Sequence, residues 1–493
     1  MRRKFLTNLF LLVFLNFLIK PFWVFGIDRG VQNMVGPSEY GFYFTILNFA
    51  FIFQIFLDFG ITNYNNKNIA QNNHLLSKYF SSIIIIRFLF AVLYMLIIMG
   101  VGVLMKYDAR QMQLLLIIGI NQFLLSLILY LRSNISALLL FRIDSFMSVL
   151  DRIIMIIICS ILLWGNVTEQ EFKISWFVYA QTVAYSITAL IAFSFLLPKM
   201  NFKGLNWNPA FFAVIIKQSL PYATLILLMG MYSRIDTVLI ERLLSYDGEL
   251  QAGIYASAFR LLDVANNMSG YLFAVLLLPI FAKMIKEKED LSQMVKLSFT
   301  ILFLFSTAVA ITSYFYGEDI MRLLYSQHIS ESLGQYNDRM TETANVFRIL
   351  MIVFVATSST YIFGTLLTAN GSLRVLNLVA LLGMIVSLGV NFILIPQFEA
   401  YGSAWASFSA QWITALLQVY FAIKLLSINI ERRYILNLLI YILIVITLSY
   451  FSILLPFNWI INFALLGISV VALAFALGLL NVKAFIHIIQ NEK

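Results

Sequence analysis

The chain has 493 residues, 61% hydrophobic and only 12% charged, with a formal net charge of +9 and a mean hydropathy of +0.88. A soluble globular chain is about half apolar and about a quarter charged, so this composition excludes one and calls for a membrane-embedded protein. The lone cysteine, Cys159, excludes an internal disulfide framework.

Apolar runs of roughly 17 to 25 residues, each long enough to cross a bilayer, predict an all-α polytopic membrane protein of about fourteen transmembrane helices. The first run, 9–27, follows Met1-Arg2-Arg3-Lys4 but lacks a small-residue cleavage site, so it reads as a retained span. Within it Pro21 follows Lys20, which predicts a kink beside the lysine. A short polar loop leads to the second run, 40–58. The next four are 81–104, 112–131, 147–165 and 175–197, with Asp151-Arg152 interrupting the first turns of 147–165. A second series follows at 213–239, 253–280, 297–316, 346–368, 375–395 and 402–425, and the chain closes with 434–455 and 459–480. An Asn-rich inner loop is expected at 63–73. The longest outer connection, Gly317 to Asn345, carries Glu318, Asp319, Glu331, Asp338 and Glu342 against Arg322 and Arg339.

Positive residues collect in cytoplasmic loops. With the N-terminus inside, 21 of the 33 Lys and Arg fall on the cytoplasmic side, Arg132, Arg142 and Arg152 among them, and seven outside, including Arg110 and Arg242. Both termini are therefore expected in the cytoplasm. The net charge is mostly this orientation signal, and nucleic acid is not implied.

Two distant segments read alike. Gly26-Ile27-Asp28 leads to Glu39-Tyr40-Gly41-Phe42-Tyr43, and Arg234-Ile235-Asp236 leads to Gln251-Ala252-Gly253-Ile254-Tyr255. Each is an apolar helix ending near an aspartate, then a polar loop, then a Gly-x-Tyr entry to the next helix. Duplication of this kind in a membrane chain points to a transporter built of two halves around a central site. The expected division is 1–200 and 201–428 as repeated six-helix bundles, with 429–493 adding two helices and a cytoplasmic tail.

Enzymatic constellations are missing. The sequence has no Gly-x4-Gly-Lys-Ser/Thr loop, and His74, His328 and His487 lie far apart, so neither a phosphate loop, a metal site nor a histidine triad is expected. The chain reads as a non-enzyme without cofactors. A membrane-embedded polymerase or glycosyltransferase would place its acids and arginines on a large outer loop, and the outer loops here are short.

Charged groups inside a span cost about 2.5 to 3.5 kcal/mol on insertion scales and normally face a bundle interior or cavity. Lys20, Arg87, Arg234, Arg260 and Arg348 fall inside spans. Lys20, Arg234, Arg260 and Arg87 are the candidate cavity cations for an anionic cargo, and Asp28, Asp236 and Asp263 the candidates for ion coupling or gating. Each has a plainer reading. Lys20, Arg87 and Arg348 can snorkel; Asp28 and Asp236 can cap helix ends; Arg260 and Asp263, spaced i, i+3, can pair on one face. Trp405 and Trp412 can stack on sugars or serve packing.

The stretch Lys20-Pro21-Phe22-Trp23-Val24-Phe25-Gly26-Ile27-Asp28-Arg29, with Glu39-Tyr40-Gly41-Phe42-Tyr43 and Leu57-Asp58-Phe59-Gly60-Ile61-Thr62-Asn63, resembles bacterial polysaccharide flippases of the multidrug/oligosaccharidyl-lipid/polysaccharide exporter superfamily. Thr368-Ala369-Asn370-Gly371, Asn391, Pro396 and Tyr401-Gly402-Ser403-Ala404 are similar to the second-half pattern of that superfamily. The resemblance implies two pseudo-symmetric six-helix bundles plus two helices, and alternating access in the bacterial inner membrane. It further implies transport of undecaprenyl-pyrophosphate-linked oligosaccharide for O-antigen or capsule synthesis. The implied partners are the lipid-linked oligosaccharide, membrane lipids, a proton or sodium gradient and polysaccharide polymerase machinery. A multidrug or cation antiporter and a peptidoglycan-precursor flippase share the fold and stand as alternatives.

Overall fold

The computed structural model describes residues 14–16, 18–59, 74–138, 140–165, 167, 170–199 and 209–479. Residues 18–22 are helical and run into a π-helical turn, Trp23–Asp28. Then come α1 (Arg29–Ile52), α2 (His74–Leu104), α3 (Ala109–Ala137), α4 (Phe141–Trp164), α5 (Ile174–Leu196), α6 (Pro209–Arg234), α7 (Asp236–Leu243) and α8 (Gly248–Glu287). The remainder is α9 (Ser292–Leu324), α10 (Leu333–Ala369), α11 (Leu373–Leu426), α12 (Arg432–Ile453) and α13 (Trp459–Ala476). No strand occurs among the described residues.

Two of these helices are broken. In α1, Gly36 takes φ 82°, ψ 167° before Pro37. Proline bars the preceding residue from the helical region, and glycine alone accepts the left-handed φ without strain. In α11 the break is at Glu399, φ 53°, ψ −133°, just after Pro396. A third bend, of 49°, separates Leu220–Arg234 from Asp236–Leu243. With α1 and α11 each split and α6–α7 taken as one bent rod, the described residues make the fourteen expected helical rods. Nine helices among the described residues are long and apolar enough to cross a membrane, or ten with the bent pair.

Several expected connections are helix instead. The polar stretch after Asp28 continues as helix to Val35, because nothing before Gly36-Pro37 interrupts the backbone ladder. The outer connection at Gly317–Asn345 shrinks to residues 325–332: α9 extends to Leu324, and Ser332 starts α10 with a reciprocal capping box to Gln335. Asp151-Arg152, read as an interruption with Arg152 on the cytoplasmic side, lies near the middle of α4. The i→i−4 ladder does not register a charge, so α4 runs through both residues. The expected residues 9–13, the basic start Arg2-Arg3-Lys4, the loop 63–73 and the tail beyond 479 lie outside the described residues.

The chain forms two compact units, Met1–Ala256 and Ser257–Lys493, the boundary falling within α8. In the first unit, Phe80, Ile86, Tyr130, Leu131, Met147 and Leu196 form a core among α2, α3, α4 and α5. In the second, α12 and α13 lie on α9: Tyr441 donates to the Leu304 carbonyl at 3.2 Å, and Tyr316 and Ser452 share a hydrogen bond of 2.7 Å. With apolar lipid outside, such polar contacts and close packing hold membrane helices together where the hydrophobic effect cannot.

Candidate functional site

Both motif aspartates are held by a tyrosine hydroxyl, though from unmatched positions: Tyr40 precedes Gly41, whereas Tyr255 is the tyrosine of its Gly-x-Tyr. Asp28 ends the π-helical turn and is 2% exposed; its carboxylate accepts from the Tyr40 hydroxyl at 2.9 Å. Asp236 opens α7 after the bend and is 1% exposed; it accepts from the Tyr255 hydroxyl at 2.5 Å. Each aspartate therefore reaches the helix that its own repeat leads into. Asp28 makes no capping hydrogen bond to α1. A carboxylate in this setting needs donors, and a phenol supplies one without adding charge.

The two motif glycines meet. A Cβ on Gly41 would lie 2.0 Å from the Glu249 carbonyl oxygen and 2.5 Å from the Gly253 nitrogen, and one on Gly253 would lie 2.0 Å from the Pro37 carbonyl oxygen. Here α1 and the first turns of α8 cross backbone to backbone, a distance only glycine permits. Nearby, Asn48 donates to the Thr237 hydroxyl at 3.0 Å and Thr45 to the Thr237 carbonyl at 3.3 Å, fixing α7 on α1.

Charge gathers at the end of this crossing. Both Glu39 oxygens accept from Arg110 at 2.6 Å, with the guanidinium 4.1 Å above the Phe42 ring. Gln111 donates to Glu241 at 2.8 Å and accepts from Arg242 at 3.2 Å, while Arg242 sits 4.5 Å from the Tyr107 ring centre.

The candidate cations fall into different settings. Lys20 is accessible though crowded, and the charged groups acting on it are, in order, Arg152, Asp151 and Arg132. Its helix continues through Pro21 and widens into the π-helical turn at Trp23–Asp28. Arg234 is half-buried at the end of α6, its guanidinium 5.5 Å from the Phe51 ring centre. Arg87 is 1% exposed, pairs with Asp58, donates to the Ser126 carbonyl and hydroxyl at 3.3 and 3.1 Å, and lies 4.4 Å over Tyr130. Those four contacts tie α2 to α3 and to the turn after α1.

Arg260 and Asp263 belong to the second unit, both half-buried on α8. One turn on, Asn266 accepts from Thr357 of α10 at 2.7 Å. Arg348 donates to the Tyr314 carbonyl at 3.0 Å and to Asn345 at 2.8 Å. In the second half of α11, Tyr401, Trp405, Phe408 and Trp412 form a ladder of ring contacts from 5.1 to 6.4 Å. The opposite stripe of that helix is polar and buried: Ser403, Ser407, Gln411, Thr414 and Gln418.

A groove of about 660 Å³ on α2, α3 and α5, walled by Phe88, Phe123 and Phe193, has no charged side chain in its lining. Among the described residues no three His, Cys, Asp or Glu side chains converge as metal ligands.

With this geometry in place, comparison with known proteins is informative. Residues 29–285, more than half of the chain, match the family described as "Polysaccharide biosynthesis protein". The chain belongs to that family. Comparison with curated proteins gives no significant match. Among solved structures, a lipid II flippase MurJ in an inward closed conformation superposes with a TM-score of 0.70 at 14% identity, covering 94% of this chain and 97% of that one. The Vibrio cholerae MATE transporter VcmN, as a variant, gives 0.61 at 13% identity over 88% and 98%. An inward-facing multidrug resistance MATE transporter of the MOP superfamily gives 0.60 at 12% identity over 84% and 98%. At such identities these likenesses establish the fold, which is the one the sequence motifs led us to expect.

Sequence reading named both aspartates but paired neither with its tyrosine, and it set Arg152 in the first turns of a span, on the cytoplasmic side. The signal for Arg152 was present: an acid and a base side by side within an apolar run.

Proposed function

We propose that this chain is a transporter that carries an undecaprenyl-pyrophosphate-linked oligosaccharide across the bacterial inner membrane by alternating access, for surface polysaccharide synthesis. What carries the reading is a conjunction: a member of the polysaccharide biosynthesis family keeps accessible or half-buried cations, Lys20, Arg234 and Arg260, within apolar helices. Groups of that charge suit a diphosphate, and a proton- or cation-exporting relative would have more use for open acids. Arg87, engaged by Asp58 and Ser126, supports the helices around the path. Asp28, Asp236 and Asp263 serve coupling or gating, the first two through their tyrosines. The moving parts are the repeats at 1–200 and 201–428, with both termini cytoplasmic and 429–493 as an added helix pair. A polymerase that receives the delivered units is the natural partner machinery.

The test is deletion. Surface polysaccharide should disappear while lipid-linked repeat units accumulate on the cytoplasmic leaflet. Single units exposed outside would indicate a polymerase, and intact polysaccharide would indicate drug efflux; either result refutes the proposal. Lys20→Gln and Arg234→Gln should each lower export at normal membrane abundance, with Lys20→Arg retaining part of it.

A further inference from the structure

Arg432 and Arg433 open the first turn of α12, and both are exposed. Positive charge is disfavoured at a helix N-terminus, where the macrodipole is itself positive, and Glu431 at the N-cap makes no side-chain capping bond to relieve it. Glu431 is instead engaged by Lys296 of α9 at 3.4 Å. Neither arginine has an ion-pair or hydrogen-bond partner among the described residues. Keeping cations on one side of the membrane is served equally well anywhere in the connection 427–431, so orientation does not account for their place at the helix start.

The head of α12 is firmly seated on α9. Tyr434 shares a hydrogen bond of 2.7 Å with Thr300, Lys296 Nζ lies 4.9 Å from the Tyr434 ring centre, and Tyr441 follows two turns on with its bond to the Leu304 carbonyl. These contacts turn the other side of the helix outward. There Leu436, Leu439, Leu443, Ile446 and Tyr450 are all exposed. Counted from Arg432 they fall at i+4, i+7, i+11, i+14 and i+18, one stripe with Arg432 at its head and Arg433 beside it. From Arg432 to Ile446 the helix rises about 21 Å, against about 15 Å for half the hydrocarbon core of a bilayer. The stripe therefore spans one leaflet, and no charged residue follows the two arginines in α12.

We infer that this stripe is a binding site for one anionic phospholipid, with its phosphate against Arg432 and Arg433 and an acyl chain along Leu436 to Ile446. Lipid tails are as apolar as leucine, so the stripe alone selects no lipid over another. The selecting element is the cation pair. It complements a headgroup of net negative charge and gains less from a zwitterionic one, whose own ammonium competes for the phosphate. A guanidinium fork can also hold two phosphate oxygens at once. Bound there, the lipid neutralises the first turn of α12, and the site is independent of what the transporter carries.

Photo-crosslinking to the purified full-length protein tests this, in nanodiscs that mix phosphatidylcholine with phosphatidylglycerol, either lipid carrying the same diazirine on its acyl chain. In the wild type, phosphatidylglycerol should label residues 436–446 more than phosphatidylcholine does. Arg432→Gln and Arg433→Gln should each cut that preference about fivefold, the share of one cation near a membrane surface. Arg432→Lys should keep most of it. Arg374→Gln, which removes an exposed cation from the start of α11, should leave it unchanged. Equal labelling by both lipids in the wild type overturns the site, as does a preference that survives loss of both arginines. A preference that falls equally in Arg374→Gln overturns it too, because bulk charge and not a local pair would then be at work. The salt dependence needs no variant: added salt should erode the wild-type preference, and indifference to salt refutes the cation pair. Absence of label from 436–446 with either lipid would place a second copy of the chain on this face and likewise overturn the site.

Discussion

Replacing Gly41 by alanine probes the glycine crossing directly. The added methyl would start 2.0 Å from the Glu249 carbonyl oxygen, and the obstacle is backbone, which cannot rotate aside as a side chain can. Reaching an ordinary contact of 3.4 Å requires the two helices to part by about 1.4 Å locally. Overpacking of this kind costs about 1 to 3 kcal/mol, against which alanine returns up to about 1 kcal/mol of helix propensity. Gly100 supplies the control: it is also helical, and an added Cβ there has nothing within 4 Å. Gly100→Ala should therefore gain up to about 1 kcal/mol, so the two variants should differ by the overpacking cost alone, about 1 to 3 kcal/mol. Thermal unfolding of the purified protein, followed by tryptophan fluorescence, ranks them. Gly253→Ala should resemble Gly41→Ala, and the double variant should lose less than the sum, because one displacement makes room for both methyls. A Gly41→Ala protein that melts with or above Gly100→Ala would refute the backbone-contact argument.

Three further outcomes are expected. Tyr40→Phe and Tyr255→Phe each remove a donor from a buried carboxylate, at about 1 to 3 kcal/mol, and should lower the melting temperature while leaving helix content by circular dichroism unchanged. Glu399→Gly relieves a positive φ that disfavours a side chain and should raise stability by about 1 kcal/mol in the same melt; a lower melting temperature would show that the glutamate is needed there for contacts. At Glu331, burial alone would raise the carboxyl, but Arg339 at 2.7 and 2.8 Å and the His328 backbone N–H hold it below the ordinary glutamate range. A depressed carboxylate lends stability above its unfolded value and loses it as pH falls through the folded one, so amide-exchange protection of residues 326–339 should drop on acidification and become insensitive to pH in Glu331→Gln.

Helix number and most span centres were legible because an apolar run of fixed length is the only signal a bilayer demands. Helix ends were less so: α9 and α10 extend well past their apolar windows at Leu324 and Leu333, where caps and ion pairs rather than hydropathy set the limits. The Gly-x-Tyr repeat was visible, yet its meaning was not, since only the folded backbone shows Gly41 against Gly253. Among the candidate cations, hydropathy marked Lys20 and Arg234 as charges inside runs but counted Arg152 on the cytoplasmic side, because an adjacent acid and base look like a span boundary when no neighbouring helix is in view.

The second half of α11 is keyed in rotation. Its phenyl and indole rings occupy one side and its hydroxyls and carboxamides the other, from Ser403 to Gln418. Turning the helix about its own axis by even a quarter-turn would carry several hydrogen-bonding groups into hydrocarbon, each at a cost of several kcal/mol. A transport cycle that moves this rod should then tilt or slide it as a lever with its azimuth locked, and a nitroxide on Trp405→Cys, with Cys159 replaced by serine, should report translation without rotation.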